Sequence, residues 1–242
     1  MSRLFHVNAF SQHPFGGNPA IVVWGPERSD AELQAMAAEF NLSETAFLSP
    51  LGEAHYRLRW FTPTVEVDLC GHGTLAAAHV LWQTGAVARS RPLHFETRSG
   101  LLEASAEGEW IRLDFPRIPL APLTLDPAYA EALGCTPLQT LAAGAKFLLV
   151  QGSEEEVQGL KPDFHALRAL PGRGIMVTAP SRDPDHDFVS RYFAPWVGVE
   201  EDPVTGSNHC ARFAGFSLRY KSHKKRPAVA GRFQCHRASG QA

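Results

Sequence analysis

The sequence predicts an α+β protein of two similar lobes, and three observations predict it. Short apolar or alternating runs of strand length recur along the chain. Twice such runs lead through a turn of small residues into a rather apolar helix: Cys70-Gly-His-Gly-Thr in the first half and Thr205-Gly-Ser-Asn-His in the second. Between the halves lies Pro116 to Pro122, PRIPLAP, whose three prolines block both helix and central strand. The boundary there gives an N-terminal lobe over 1–117 and a C-terminal lobe over 118–242. The repeat is one of pattern, not of letters.

The elements follow in order. Leu4 to Phe10 reads as a strand, and a turn-rich stretch runs from His13 to Pro19. Ala20 to Trp24 is a continuous apolar run of buried-strand type. Ser29 caps a helix, Glu32 completes a capping box, and Leu33, Met36, Ala37 and Phe40 form its apolar face. Asn41 ends the helix, and Glu44 opens the next strand. Tyr56 to Phe61 alternates as a half-buried strand does. Leu75 to Gln83 is apolar almost all round, which predicts a buried central helix stopped near Gly85. Strands are expected near Leu93–Thr97, Leu101–Ser105 and Ile111–Phe115. Asp126, Pro127 and Gly134 bracket a short helix as cap, first-turn proline and terminator. Lys146–Val150, Ile175–Thr178 and Asp187–Phe193 read as strands, and Thr205 to Arg219 as a second helix.

Composition narrows the function. With 23 Lys plus Arg against 25 Asp plus Glu, the chain has no overall basic excess of the nucleic-acid-binding kind. The last acidic residue is Asp202, after which eight Lys and Arg follow from Arg212 to Arg237. This basic end reads as solvated surface. No run approaches the roughly 18 apolar residues of a spanning helix, and Met1 is followed by no signal-peptide core. Cys70, Cys135, Cys210 and Cys235 form no C-x-x-C pair, so free thiols in a cytoplasmic setting are expected.

The chemistry-bearing candidates gather at the two small-residue turns and at Glu44. A glycine turn entering a helix exposes backbone N–H groups at the positive end of the helix dipole. Two such ends would hold an anion such as a carboxylate and stabilise the enolate-like species formed on proton removal. Neither turn is a Walker loop or a G-x-G-x-x-G fingerprint. Glu44 sits before Ala46-Phe47-Leu48, where burial would favour its neutral form and suit it to remove and return a proton. His72 within the first turn and Asp202 before the second are candidate partners. A two-thiol reading of Cys70 and Cys210 is weakened because Cys210 lies within the predicted helix. His72 and His79 share a helix face but lack further metal ligands.

Several strings together resemble one family: VNAFSQHPFGGNPAIVV (7–23), NLSETAFL (41–48), RWFTPTVEVDLCGHGTLAAAHVL (59–81) and DFVSRYFAPWVGVEEDPVTGS (187–207), followed by His209-Cys210. They resemble the PhzF-like family of phenazine-biosynthesis isomerases and relatives. The resemblance implies a diaminopimelate-epimerase-like fold, each lobe a curved sheet or barrel around a central helix, with the active site in a cleft between lobes. It implies Glu44 as general acid/base, with His72 and Asp202 as further catalytic groups. It also implies Asn18, Ser43, Gly73, Gly206 and Ser207 around the substrate. The implied reaction is an isomerisation or epimerisation of a small carboxylate, with no metal and no organic cofactor, in a cytoplasmic homodimer without nucleic-acid or membrane partners.

Two departures stand out. Asn208 occupies a position where the family usually has a small residue such as Ala. After Cys210 the similarity fades, with Phe233-Gln234-Cys235 as the expected remnant of a later family stretch. Loss of closing strands would leave a sheet edge open in the second lobe. That departure keeps a second reading in play, a non-catalytic small-molecule binding protein of the same fold.

Overall fold

The helix after Ser29 forms because both halves of its capping box are made. The Ser29 hydroxyl accepts from the Glu32 N–H, and the Ser29 N–H donates to the Glu32 carboxylate at 3.1 Å. Asn41 ends it in the left-handed region, φ 50°. Such local rules set the elements throughout the computed structural model. It describes residues 1–11, 16–116, 118–184, 186, 188–211 and 231–236, and for Pro116, Ser207, His209 and 231–236 the backbone only. The described residues fall into two compact units, one drawn from Met1–Pro116 and Lys225–Ala242, the other from Arg117–Lys224.

The first unit is one mixed, nine-stranded sheet with two helices. In chain order its elements are β1 (Arg3–Ala9), β2 (Asn18–Trp24), α1 (Asp30–Phe40), β3 (Glu44–Gly52), β4 (His55–Phe61), β5 (Glu66–Val67), α2 (Gly71–Gln83), β6 (Leu93–Thr97), β7 (Gly100–Glu107) and β8 (Trp110–Pro116). The sheet order is β1-β2-β3-β4-β6-β7-β8, with β5 beside β4. Helix α2 packs against β1, β2 and β3 near one end of that order and against β8 near the other. The sheet therefore curls around α2, whose residues from Gly71 to Ala78 are all buried. An all-round apolar helix needs such a wrapping. Leu33, Ala37, Phe47 and Phe61 fasten α1 to the outer face.

The second unit carries a six-stranded sheet. Its elements are β9 (Leu120–Pro122), α3 (Pro127–Leu133), β10 (Gln139–Ala143), β11 (Lys146–Val150), α4 (Glu154–Gln158), α5 (Phe164–Ala169), β12 (Ile175–Pro180), β13 (Phe188–Ala194) and β14 (Val199–Asp202). They order as β14-β13-β12-β11-β10-β9. One core joins the sheet to α3 and to Val157 and Leu167 of α4 and α5. The opposite face packs Leu141, Leu148, Met176, Tyr192 and Ala211. The proline-rich boundary contributes an edge strand rather than a bare linker: β9 pairs only with β10, where the missing N–H of Pro122 is tolerated.

Two expectations are corrected. Thr205 to Arg219 does not begin as an α-helix: Gly206–Cys210 is a 3₁₀ turn, and 212–219 lie outside the described residues. The C-terminal lobe is expected to run to residue 242. Instead the last strand, β15 (Gly231–His236), lies parallel to β8, Phe233 opposite Leu113, and extends the first unit's sheet. The backbone groups along β8 thereby find partners that an edge would leave to solvent. Much of the basic end, including Lys221, Lys224, Lys225 and Arg226, and the turn residues 12–15 also lie outside the described residues.

Candidate active site

Parallel pairing of β2 with β3 sets Ala20 opposite Glu44. Asn18, two residues earlier on β2, lies within hydrogen-bond reach of Ser43, just before β3. The start of α2 brings Cys70, His72 and Gly73 to the same place. Five of the eight candidates read from the sequence thus converge in the first unit: Asn18, Ser43, Glu44, His72 and Gly73.

The pair at the centre is Glu44 and His72. Glu44 Oε2 lies 3.6 Å from His72 Nε2, with 17% of the glutamate side chain exposed against 2% of the histidine's. A carboxylate that reaches solvent while lying against a buried imidazole is placed to meet a substrate. Around His72 the contacts are polar on both ring nitrogens. Asn18 Nδ2 lies 3.2 Å from Nδ1, and Ser43 Oγ lies 3.5 Å from Nε2. The Ser43 hydroxyl also donates to Asn18 Oδ1 at 3.1 Å. Asn18 is wholly buried, so it braces His72 from behind.

Cys70 is the N-cap of α2, a role the sequence reading gave to no residue. Its Sγ accepts from the Gly73 N–H at 3.3 Å and lies 3.6 Å from His72 Nδ1. The amide of Gly73, expected as a donor to substrate, is thus directed at the cap. Gly73 lacks a side chain for a packing reason. A Cβ there would stand 2.8 Å from Cδ1 of the fully buried Trp60. Trp60 was not foreseen because nothing in the alternating strand Tyr56–Phe61 marks which ring meets the glycine turn.

The carboxylate, thiol and imidazole of Glu44, Cys70 and His72 offer donor atoms within 4.8 Å of one another. These are donor types that a divalent ion also takes, His72 offering it one ring nitrogen. His72 faces Cys70 through Nδ1 and Glu44 through Nε2.

The other three candidates belong to the second unit. Asp202 ends β14, is buried, and accepts from the Thr205 hydroxyl at 2.5 Å. Gly206 and Ser207 open the 3₁₀ turn after it. That turn is too short to supply the dipole of a true helix start. Asn208 is buried in the same turn and donates to Ser190 Oγ at 3.5 Å.

Known proteins share both fold and sequence with this chain. A solved PhzF-family structure from Enterococcus faecalis superposes with a TM-score of 0.76 at 43% identity, covering 87% of this chain and 80% of that one. An uncharacterized isomerase of Pseudomonas aeruginosa is 50% identical over 216 residues, 87% of this chain and 80% of that protein. An uncharacterized isomerase of Halalkalibacterium halodurans is 46% identical over 209 residues, 86% and 78% of the two chains. Together they define the class, an isomerase with a diaminopimelate-epimerase-like fold. The model of the phenazine biosynthesis-like protein family, PhzC-PhzF, matches residues 7–239, and the chain belongs to that family. The non-catalytic reading gives way to the enzymatic one. Among the described residues no helix is long and apolar enough to cross a membrane.

Proposed function

We propose that the protein moves a proton on a small carboxylate substrate, with Glu44 as the general acid/base and without metal or organic cofactor. The observation that carries the reading is the half-buried Glu44 carboxyl 3.6 Å from the buried His72 ring. Glu44 removes a proton from a carbon activated by the neighbouring carboxylate or double bond, and Glu44 or His72 returns it elsewhere on the substrate. The charge that develops on the substrate is met by N–H donors of the first turn of α2 other than the Gly73 amide. Phenazine precursors are one class of acid with the required activated C–H. The reading extends to a homodimer in the cytoplasm, where the thiols of Cys70, Cys135 and Cys210 would stay reduced.

The test is solvent exchange. A panel of small carboxylic acids with an acidified C–H is incubated with enzyme in D₂O, and deuterium is read by mass spectrometry and NMR. Wild type washes deuterium into at least one acid, and Glu44→Gln lowers that rate by 10²-fold or more, the usual scale of a lost acid/base. Prior treatment with a chelator leaves the rate unchanged. Undiminished exchange by Glu44→Gln would sink the assignment.

A further inference from the structure

We propose that Asn18 is a positioning residue that holds His72 in its neutral Nε2–H tautomer, so that the ring presents an N–H rather than a lone pair to Glu44. For its catalytic meaning this rests on Glu44 as acid/base; the tautomer itself does not.

The argument follows the hydrogens. The Ser43 hydroxyl donates to Asn18 Oδ1 at 3.1 Å, which turns the amide so that Nδ2 faces the imidazole. Nδ2 carries only hydrogens and lies 3.2 Å from His72 Nδ1, so Nδ1 must offer its lone pair. Cys70 Sγ stands 3.6 Å from the same nitrogen and receives the Gly73 N–H, and its S–H can share the Nδ1 lone pair with the amide. With Nδ1 an acceptor, the ring proton of the neutral form sits on Nε2. Nε2 faces Glu44 Oε2 at 3.6 Å and Ser43 Oγ at 3.5 Å.

The reverse arrangement fails on electrostatics. With the amide turned over, Asn18 Oδ1 would require Nδ1–H, and the Nε2 lone pair would face the Glu44 carboxylate. Two acceptors would then oppose each other beside a ring only 2% exposed, where unfavourable polar contacts are least screened. When Glu44 is in its proton-accepting form the carboxylate selects Nε2–H, and Asn18 selects it from the other side. A neutral amide suits this task. It has no charge to draw a second proton onto the ring, as a carboxylate at the same place would. Complete burial of Asn18 removes water as a competing partner.

The experiment is ¹⁵N NMR of the histidine rings in the intact protein at neutral pH, with the His72 signals assigned by their loss in His72→Gln. Wild type should show a pyrrole-like Nε2 and a pyridine-like Nδ1. Asn18→Asp should move the proton to Nδ1 or charge the ring, so that Nδ1 becomes pyrrole-like. Asn18→Ala should give averaged shifts of mixed tautomers. A wild-type ring with Nδ1 protonated would overturn the proposal without any variant having to fold. So would Asn18→Asp with unchanged shifts. In the deuterium assay Asn18→Asp should displace the pH profile, which a merely structural loss would lower uniformly. A wild-type Nε2–H signal together with full exchange by Glu44→Gln would sink the acid/base reading and leave the tautomer standing.

Discussion

Alanine is the better helix former, yet Gly73→Ala should destabilise this protein. In an open helix the change would gain at most about 1 kcal/mol. Here the added methyl would lie 2.8 Å from Trp60 Cδ1, 3.2 Å from Trp60 Nε1 and 3.1 Å from Cys70 Sγ. Trp60 is fully buried, and the contact falls near the root of its ring rather than at a flexible tip. Forcing a methylene into such a place costs about 1–3 kcal/mol. The net expectation is a loss of up to about 2 kcal/mol, the overpacking cost less the helix gain. Urea unfolding followed by far-UV circular dichroism measures it. In a cycle with Trp60→Leu, which opens the space, the two changes should couple favourably by about 1 kcal/mol. Deuterium exchange should suffer more than stability. Gly73 sits between Cys70 and the ring-bearing turn, and displacements toward 1 Å cost about 10²-fold in rate. A Gly73→Ala protein about 1 kcal/mol more stable than wild type, the full helix gain, would refute the packing argument.

Two further outcomes follow from the same coordinates. Cys70→Ala removes the acceptor for the Gly73 N–H and should cost about 1 kcal/mol. Cys70→Ser supplies an oxygen cap, should lose less in urea, and should keep deuterium exchange; loss of exchange in the serine variant would instead favour thiol chemistry. Burial, and after it the charge of Arg89, holds His79 below its ordinary pKa. The unfolded chain therefore takes up the proton first, so this contribution is present above about pH 6.5 and is lost as pH falls below it. The urea midpoint should drop between pH 7.5 and 5.5, and less steeply in His79→Gln; parallel profiles would contradict it.

Much of the fold was legible where its cues are local. The capping box at Ser29, the glycine stop after Leu133 and the all-apolar helix before Gly85 each depend on a few adjacent residues, and each is made. Short elements were not legible. Helices α4 and α5 span five and six residues, too few for a periodic face to show. The strand Gln139–Ala143 is only partly apolar and takes its identity from pairing with β11. The start of the second predicted helix also differs. Its small-residue turn resembles the first in pattern, but Gly206–Cys210 is a 3₁₀ turn.

The chain by itself determined which groups have the chemistry to matter: a glutamate at the head of an apolar strand, and a histidine in a glycine turn at a helix start. Those are matters of neighbouring residues and intrinsic acidity. Tertiary structure decided what touches what. Asn18 and His72 are 54 positions apart. They meet because β2 pairs with β3 in one register and α2 is clasped by the curled sheet. A shift of one residue in the β2 register would turn Asn18 to the opposite face. Hydrogen bonds reach about 3 Å, so the form of a buried ring is set by whatever the fold brings within that distance.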